Sequence, residues 1–407
     1  MSVSTLEDRL VVVVTGANGG VGYGICQRLL TQLVQPNGRD ARPQAFAKTA
    51  GQPTPHPGYQ GLTLVMACRN VEKANVACHE LLRWFDEYVQ ELSTEEGFDE
   101  AMARNFVENC EVRVEEVDLA SFKSVMQFAA RLRVKLPYIT HLVFNAGTAP
   151  FKDLIYWKAA LQFFTDPLGF MTYPNFYSQY SGQISKDNLG WIWQSNLFSH
   201  FVMARELQHM LEKSPLEEGS RVIWSSSLEA FPDFYDPRDW QLLKTDHSYE
   251  CVKYQIDLVG TYLDRQALAL SPTPRIRHFV SEPGVCSTSI SAALTPYPFM
   301  NTIKVWVFFF GRLFLNSPHH PIIPFKAAIV AVHLILAPLL FLPTFANNDP
   351  DQAIRFGAQT DRWGAERVGQ TPVRRWTDFE DSAKELVDHC DELYQSMKKQ
   401  LESPHET

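Results

Sequence analysis

Tyr249 and Lys253 stand four residues apart in YECVKY, so on a helix their side chains share one face. An ammonium beside a phenol favours the phenolate, which predicts a Tyr249 pKa drawn down from its ordinary value near ~10. A phenol so placed can hand a proton to a carbonyl oxygen as hydride arrives at the carbon. The stretch VVVVTGANGGVGYGI offers a place for the hydride donor. Val11 to Val14 reads as a buried parallel strand, and Gly16, Gly20 and Gly22 follow as TGxxxGxG before the helix-like stretch Tyr23 to Leu33. Glycines let a pyrophosphate approach the backbone, and the amides of the helix N-terminus, Val21 among them, face its charge. Either signature alone is weak, the first being open to chance and the second to an ordinary glycine-rich turn.

The elements that must position these residues follow from hydrophobic periodicity. Strand-like runs recur at Leu62 to Ala67, Val112 to Val117, His141 to Phe144, Val222 to Trp224 and Ile276 to Val280, with helix-like segments between them. Such alternation predicts an α/β fold, a doubly wound parallel sheet of Rossmann type with ligands at the carboxyl ends of its strands. Arg69 follows the second strand where an acidic residue would bind a ribose 2′-hydroxyl. A guanidinium suits a 2′-phosphate instead, so NADP(H) is the expected cofactor. Asp118 ends the third strand and can accept from an adenine amino group, while Asn145, Ala146 and Gly147 end the fourth.

The glycine turn, Asp118, the NAG at Asn145 and the YxxxK occur in the order found in short-chain dehydrogenases/reductases, which the chain resembles over roughly residues 8 to 295. The resemblance implies a catalytic group of Asn196 in WQSNLFSHF, a serine of WSSS, Tyr249 and Lys253. The serine polarises the carbonyl, Lys253 also grips the nicotinamide ribose, and Asn196 holds a water that links Lys253 to solvent. Ser226 aligns best with the family serine, with Ser225 and Ser227 as neighbouring candidates. SEPGVCSTSI matches the segment that sets Pro283, Gly284, Val285 and Thr288 beside the nicotinamide carboxamide.

Several stretches depart from that core. An insert near 228–248 widens the spacing between the serine and Tyr249, and reads either as a surface elaboration or as a substrate-facing flap. A Pro-, Gly- and polar-rich insert near 36–61 reads as a mobile loop without function. The aromatic segment 151–185 is expected to cover part of the substrate cleft. After Ser291 come PYPFMNTIKVWVFFFGRLFLN and HHPIIPFKAAIVAVHLILAPLLFLPTF. The longest uncharged run, Ala327 to Leu342, would span ~24 Å as a helix against ~30 Å of hydrocarbon. Buried core, a transmembrane helix and an interfacial surface leading to a greasy substrate are the three readings, and residues 296–345 are expected to form an apolar lid or membrane-facing segment. Residues 346–407 are expected to pack on the core as a tail.

VIWSSS, the widely spaced YxxxK, the apolar segment and FGAQTDRWGAERVGQTPVRRW together resemble the family of fungal 3-keto-steroid reductases, essentially end to end. That implies NADPH-dependent reduction of the 3-ketone of a C4-demethylated sterol intermediate to the 3β-alcohol, in ergosterol synthesis. It implies a setting at the endoplasmic reticulum or lipid droplets, and a membrane complex with a C4 oxidase, a decarboxylase and scaffold proteins. A reductase for another lipophilic carbonyl, retinoid-like or polyketide, would use the same residues. A non-catalytic NADP-binding assembly partner is the reading from a different class.

Composition limits the alternatives. The chain has 407 residues, 45% of them hydrophobic, which is ample for a large core. A net charge of -9 without a basic stripe argues against nucleic acid. Seven cysteines without C-x-x-C or metal-ligand spacing suit a reducing compartment. The opening MSVSTLEDRL has acidic residues and no apolar core, unlike a secretory signal, so the bulk is expected to face the cytosol.

Overall fold

The computed structural model describes residues 9–36, 38–47, 59, 61–288, 290, 294, 297–346 and 349–402. Its strands are β1 (Arg9–Thr15), β2 (Gly61–Cys68), β3 (Cys110–Glu116), β4 (His141–Phe144), β5 (Phe151–Leu154), β6 (Tyr177–Gln179), β7 (Ser220–Ser225), β8 (Ile276–Glu282), β9 (Phe345–Ala346), β10 (Asp349–Thr360) and β11 (Glu366–Pro372). The main sheet runs β11-β10-β8-β7-β4-β1-β2-β3, with β9 beside β10. Pairing is parallel from β3 through to β10, and antiparallel only where β11 and β9 join β10. The order reverses between β1 and β4, so the crevice beyond their carboxyl ends is the place for a ligand.

The continuous valine run of β1 is buried on both sides because helices cover both faces of the sheet. Val11 and Val13 enter one core with the helices Phe122–Lys135, Ser199–Glu212 and Ser248–Leu270. Leu10, Val12 and Val14 enter the other with Gly20–Leu33 and Val71–Leu92.

Most of the apolar run Ala327 to Leu342 belongs to this second core, with Leu340 exposed near its end. Every residue of helix Ile329–Leu336 is buried, and no helix among the described residues is long and apolar enough to cross a membrane. For helix Ile329–Leu336, buried core is the reading realised. His333 sits in that core with Nδ1 2.6 Å from the Asp40 carbonyl, and burial pushes its pKa down to about 4.

Asp40 belongs to the polar insert expected to be a mobile loop, and the described part, residues 38–47, corrects that expectation. Arg28 of helix Gly20–Leu33 is buried and needs a counter-ion, which Asp40 provides at 2.8 Å from Nη2. Phe46 packs on Phe356 with ring centroids 5.6 Å apart. The insert is therefore anchored over those residues; its stretch 48–58 lies outside the described ones.

The tail extends the sheet. β10 lies parallel to β8, and helix Trp376–Glu402 packs on helix Ser248–Leu270. TDRWG makes the β10–β11 turn: the Asp361 carboxylate accepts from the amides of Trp363 and Ala365 at 2.9 and 2.8 Å, and Gly364 adopts φ +90°. This gives the motif a structural role as a capped hairpin.

Candidate active site

The ends of β1 and β4 are tied together before any ligand is considered. Thr15 Oγ1 accepts from the amides of Asn145 and Ala146, both at 3.0 Å, and Asn145 Nδ2 donates to the Thr15 carbonyl at 3.0 Å. Gly16 has φ +67° and Gly20 +52°, a region that favours glycine. A Cβ on Gly22 would stand 2.4 Å from the Gly16 carbonyl oxygen, so the helix can start that close to the turn only without a side chain.

One cavity of about 1280 Å³ opens from this crevice, larger than the ~300–1,000 Å³ of a typical single-ligand site. Gly16, Gly20, Val21, Arg69, Asp118, Asn145, Ala146, Gly147, Ser226, Tyr249, Lys253, Pro283, Gly284, Val285 and Thr288 all line it. Gly22 and Asn196 stand behind its wall. Arg69 is exposed at the end of β2, and Lys73, one turn into the next helix, adds a second cation that the sequence reading missed. Thr288 lies over the glycine turn, 3.4 Å from where a Gly20 Cβ would be. The amide of Val285 donates to the His319 carbonyl at 2.7 Å, fixing the Pro283–Gly284 turn.

A dinucleotide fits this wall on the exposed turn of Gly16, Gly19 and Gly20 and on the two cations at Arg69 and Lys73. Gly16, Gly20 and Val21 would hold its pyrophosphate, Asp118 its adenine, and Pro283 to Thr288 its nicotinamide end. Bound there, a reduced nicotinamide supplies a hydride.

Tyr249 and Lys253 sit on helix Ser248–Leu270, with Lys253 Nζ 5.9 Å from the Tyr249 ring centre. The Lys253 ammonium donates to the Ser225 carbonyl at 2.8 Å, and burial pushes its pKa down to about 8. Tyr249 departs from expectation. Burial, followed by the nearby Glu229 carboxylate, holds its pKa well above the ordinary value, opposed by a hydrogen bond from Ser227. A buried phenol that keeps its proton is a proton donor, which is the form that carbonyl reduction requires.

Ser227 acts on the phenol, lowering its pKa against burial, and Ser225, Ser226 and Ser227 all line the cavity. Ser226 Oγ donates to the Lys253 carbonyl at 3.2 Å. Ser225 Oγ is 3.4 Å from Ser281 Oγ. Neighbouring residues at a strand end turn their side chains to different sides, so the three serines meet different partners.

Asn196 stands near Lys253, its Oδ1 2.8 Å and Lys253 Nζ 3.6 Å from where a Gly147 Cβ would be. It lies in a π-helical turn, Gln194–Phe198, and its side chain is committed to backbone. Oδ1 accepts from the Thr148 amide at 3.0 Å, while Nδ2 donates to the carbonyls of Thr148 at 3.0 Å and Ile192 at 2.8 Å. The Asn196 carbonyl is 3.0 Å from His200 Nδ1. Asn196 therefore pins the Asn145–Gly147 loop from behind.

Arg355, on β10, carries no sequence signal for function yet touches three parts of the site. Its Nη1 donates to the Ser227 carbonyl and to Asp257 Oδ2, both at 2.9 Å, and Nη2 is 3.4 Å from Glu282, the residue before Pro283. One buried guanidinium thus joins the serine turn, the Tyr–Lys helix and the Pro–Gly turn.

The far part of the cavity is apolar. Phe151, Leu154, Phe170, Met171 and Phe176 of the aromatic insert form one side, and Phe299, Met300, Ile303, Val307 and Phe308 of helix Pro298–Leu313 the other. Phe151 meets the Tyr249 ring edge-on at 5.5 Å, and Gln179 Oε1 accepts from the Tyr249 amide at 3.0 Å. Of the 228–248 insert, Leu228 and Glu229 reach the cavity, while Trp240 packs against Trp193 at 5.0 Å.

No family model matches the chain. It is 28% identical over 397 residues to the 3-keto-steroid reductase erg27 of Schizosaccharomyces pombe, covering 97% of this chain and 99% of that protein. The 3-keto-steroid reductase erg27 of Aspergillus fumigatus is 26% identical over 411 residues, covering 92% and 84%. A solved structure from Mycobacterium paratuberculosis superposes with a TM-score of 0.50 at 16% identity, covering 94% and 92%, a likeness of fold alone. By motif order and fold the chain resembles the short-chain dehydrogenases/reductases, and by similarity over nearly its whole length it resembles the fungal 3-keto-steroid reductases.

Proposed function

We propose that this protein is an NADPH-dependent reductase that converts the 3-ketone of a C4-demethylated sterol intermediate to the 3β-alcohol in ergosterol biosynthesis. The observation that carries the reading is the placing of Ser225 to Ser227, Tyr249 and Lys253 together at the junction of a glycine-shaped wall and an apolar pocket. Similarity to proteins named 3-keto-steroid reductase selects a sterol among lipophilic ketones. Ser227 and Tyr249 hydrogen-bond the carbonyl oxygen, and Tyr249 gives it a proton. Lys253 orients the dinucleotide and Arg355 holds the serine turn in register. The apolar pocket binds the rings by excluding water, at ~25 cal/mol per Å² buried. The test is NADPH oxidation by the detergent-solubilised protein with 4α-methylzymosterone, the product being identified by chromatography and mass spectrometry. A 3β-alcohol supports the reading; NADPH binding without product overturns it.

We further propose attachment to the surface of the endoplasmic reticulum or lipid droplets, and assembly there with a C4 oxidase, a decarboxylase and scaffold proteins. Two exposed aromatic faces support the attachment. Helix Pro298–Leu313 and the residue after it expose Phe299, Trp306, Phe310 and Phe314, and helix Tyr156–Thr165 exposes Tyr156, Trp157 and Phe164. Both belong to segments that wall the apolar pocket, so a bilayer against them would feed substrate directly. Flotation with phospholipid vesicles tests this: Trp306→Ser with Phe310→Ser is expected to leave the protein unfloated, and unchanged flotation contradicts the surface.

A further inference from the structure

A helix leaves the amides of its first turn without partners inside it, and the side chain of the residue that caps the helix ordinarily accepts from one of them. Helix Ser248–Leu270, which carries Tyr249 in that turn, lacks such a bond: its cap residue is His247, whose side chain makes no capping bond. The His247 ring stacks instead on Phe234 at 3.7 Å, and its Nδ1 stands 3.1 Å from Glu250 Oε1. The partner for the Tyr249 amide comes from 70 residues away. Gln179, at the end of β6 in the aromatic insert, accepts from it with Oε1 at 3.0 Å.

The other half of the Gln179 amide is equally committed, since Nε2 donates to Glu250 Oε2 at 2.5 Å. This is the orientation in which both contacts are hydrogen bonds, because the flipped side chain would set N–H against N–H and oxygen against a carboxylate oxygen. Gln179, Tyr249 and Glu250 are all buried, so both bonds are shielded from water. Tyr177 ties the same turn a second time, its Oη 3.3 Å from Glu250 Oε1.

Phe151 completes the hold. It pairs with Gln179 across β5 and β6, so the two side chains lie on one face of the ladder. The Phe151 ring meets that of Tyr249 edge-on at 5.5 Å. One cross-strand pair thus grips Tyr249 by its backbone amide and by its ring. The same two strands line the apolar pocket with Phe151, Leu154 and Tyr177.

We propose that Gln179 is a positioning residue for the proton donor, through which the substrate-binding insert sets the placement of Tyr249. The proposal rests on the reductase reading above. A helix whose first turn is held by its own cap can move independently of the pocket; here the wall that receives the rings and the group that protonates the ketone are one unit. Displacing a reacting group by about 1 Å costs on the order of 100-fold in rate. The dinucleotide rests on the glycine turn and Arg69, away from Gln179, so the consequence is a loss of rate without a loss of cofactor affinity.

The experiment uses Gln179→Met, a side chain of similar length that keeps the packing and removes both hydrogen bonds. Single-turnover reduction of 4α-methylzymosterone with NADPH bound is expected to slow about tenfold or more, and NADPH affinity, read by cofactor fluorescence, to stay within about twofold. A rate within about threefold of wild type overturns the proposal. So does a loss of NADPH affinity as large as the loss of rate, which would mean that the cleft as a whole had been disturbed. A measurement on the wild type holds whether or not the variant folds. With 15N-labelled tyrosine, the amide assigned to Tyr249 by its absence from Tyr249→Phe is expected to exchange with solvent at least about 100-fold more slowly than in an unstructured peptide. Exchange at the peptide rate overturns the cap. A wild type that binds NADPH yet reduces no ketone refutes the reductase reading separately, and the exchange measurement still decides whether Gln179 holds the Tyr249 amide.

Discussion

The cofactor wall and the substrate wall of the cleft are made in different ways. The first is mostly backbone, shaped by Gly16, Gly20 and Gly22 and by the Thr15–Asn145 bonds, within elements close to the sheet's switch point. The second is mostly side chains, brought by the 151–185 insert, Glu229 and helix Pro298–Leu313, with Arg355 of the tail bracing the catalytic turn between them. A backbone wall is broken by adding atoms, and a side-chain wall by removing them.

The largest expected effect short of losing Tyr249 itself lies where the walls meet. Ser227→Ala is expected to lower kcat about 100-fold, while Ser226→Ala stays within about tenfold, as measured by steady-state NADPH oxidation. The reverse order would restore Ser226 to the carbonyl. On the backbone wall, Gly22→Ala forces a Cβ against the Gly16 carbonyl and should cost about 1–3 kcal/mol in thermal denaturation. Gly19→Ala, with an extended φ of 179° and nothing within 4 Å of its Cβ, should stay within about 0.5 kcal/mol. Equal losses would refute the close-approach account.

Arg69→Ala is expected to raise the KM for NADPH about tenfold and to leave that for NADH nearly unchanged. Equal shifts would remove the 2′-phosphate contact. The smallest effect is one of pH. Lys253 is charged below about 8 and loses its proton above it, so NADPH affinity should be level below that pH and weaken as pH rises through it. Equilibrium binding, followed by cofactor fluorescence, reads this directly.

The difference between the walls also explains what could be read from sequence. Tyr249, Lys253 and the glycines are legible because spacing within one helix or one turn fixes their geometry locally. Among Ser225, Ser226 and Ser227 the spacing favoured Ser226 without deciding, since three consecutive serines leave the facing of the strand end undetermined. Arg355 was invisible because parallel pairing of β10 with β8 brings it to the site from a distant part of the chain. Phe46 and Asp40 were hidden in a composition that reads as loop, although Arg28 behind them required a buried partner. The depressed Tyr249 pKa expected from Lys253 failed because burial and Glu229 outweigh an ammonium already bonded to a carbonyl.

The central claim is that both walls serve one proton-and-hydride transfer at Tyr249. The direct measurement is a single turnover with enzyme in excess over 4α-methylzymosterone and NADPH bound, comparing wild type with Tyr249→Phe. The account predicts 3β-alcohol from wild type and a rate lowered about 1,000-fold in the variant, with NADPH affinity retained. Full-rate alcohol formation by Tyr249→Phe would contradict it.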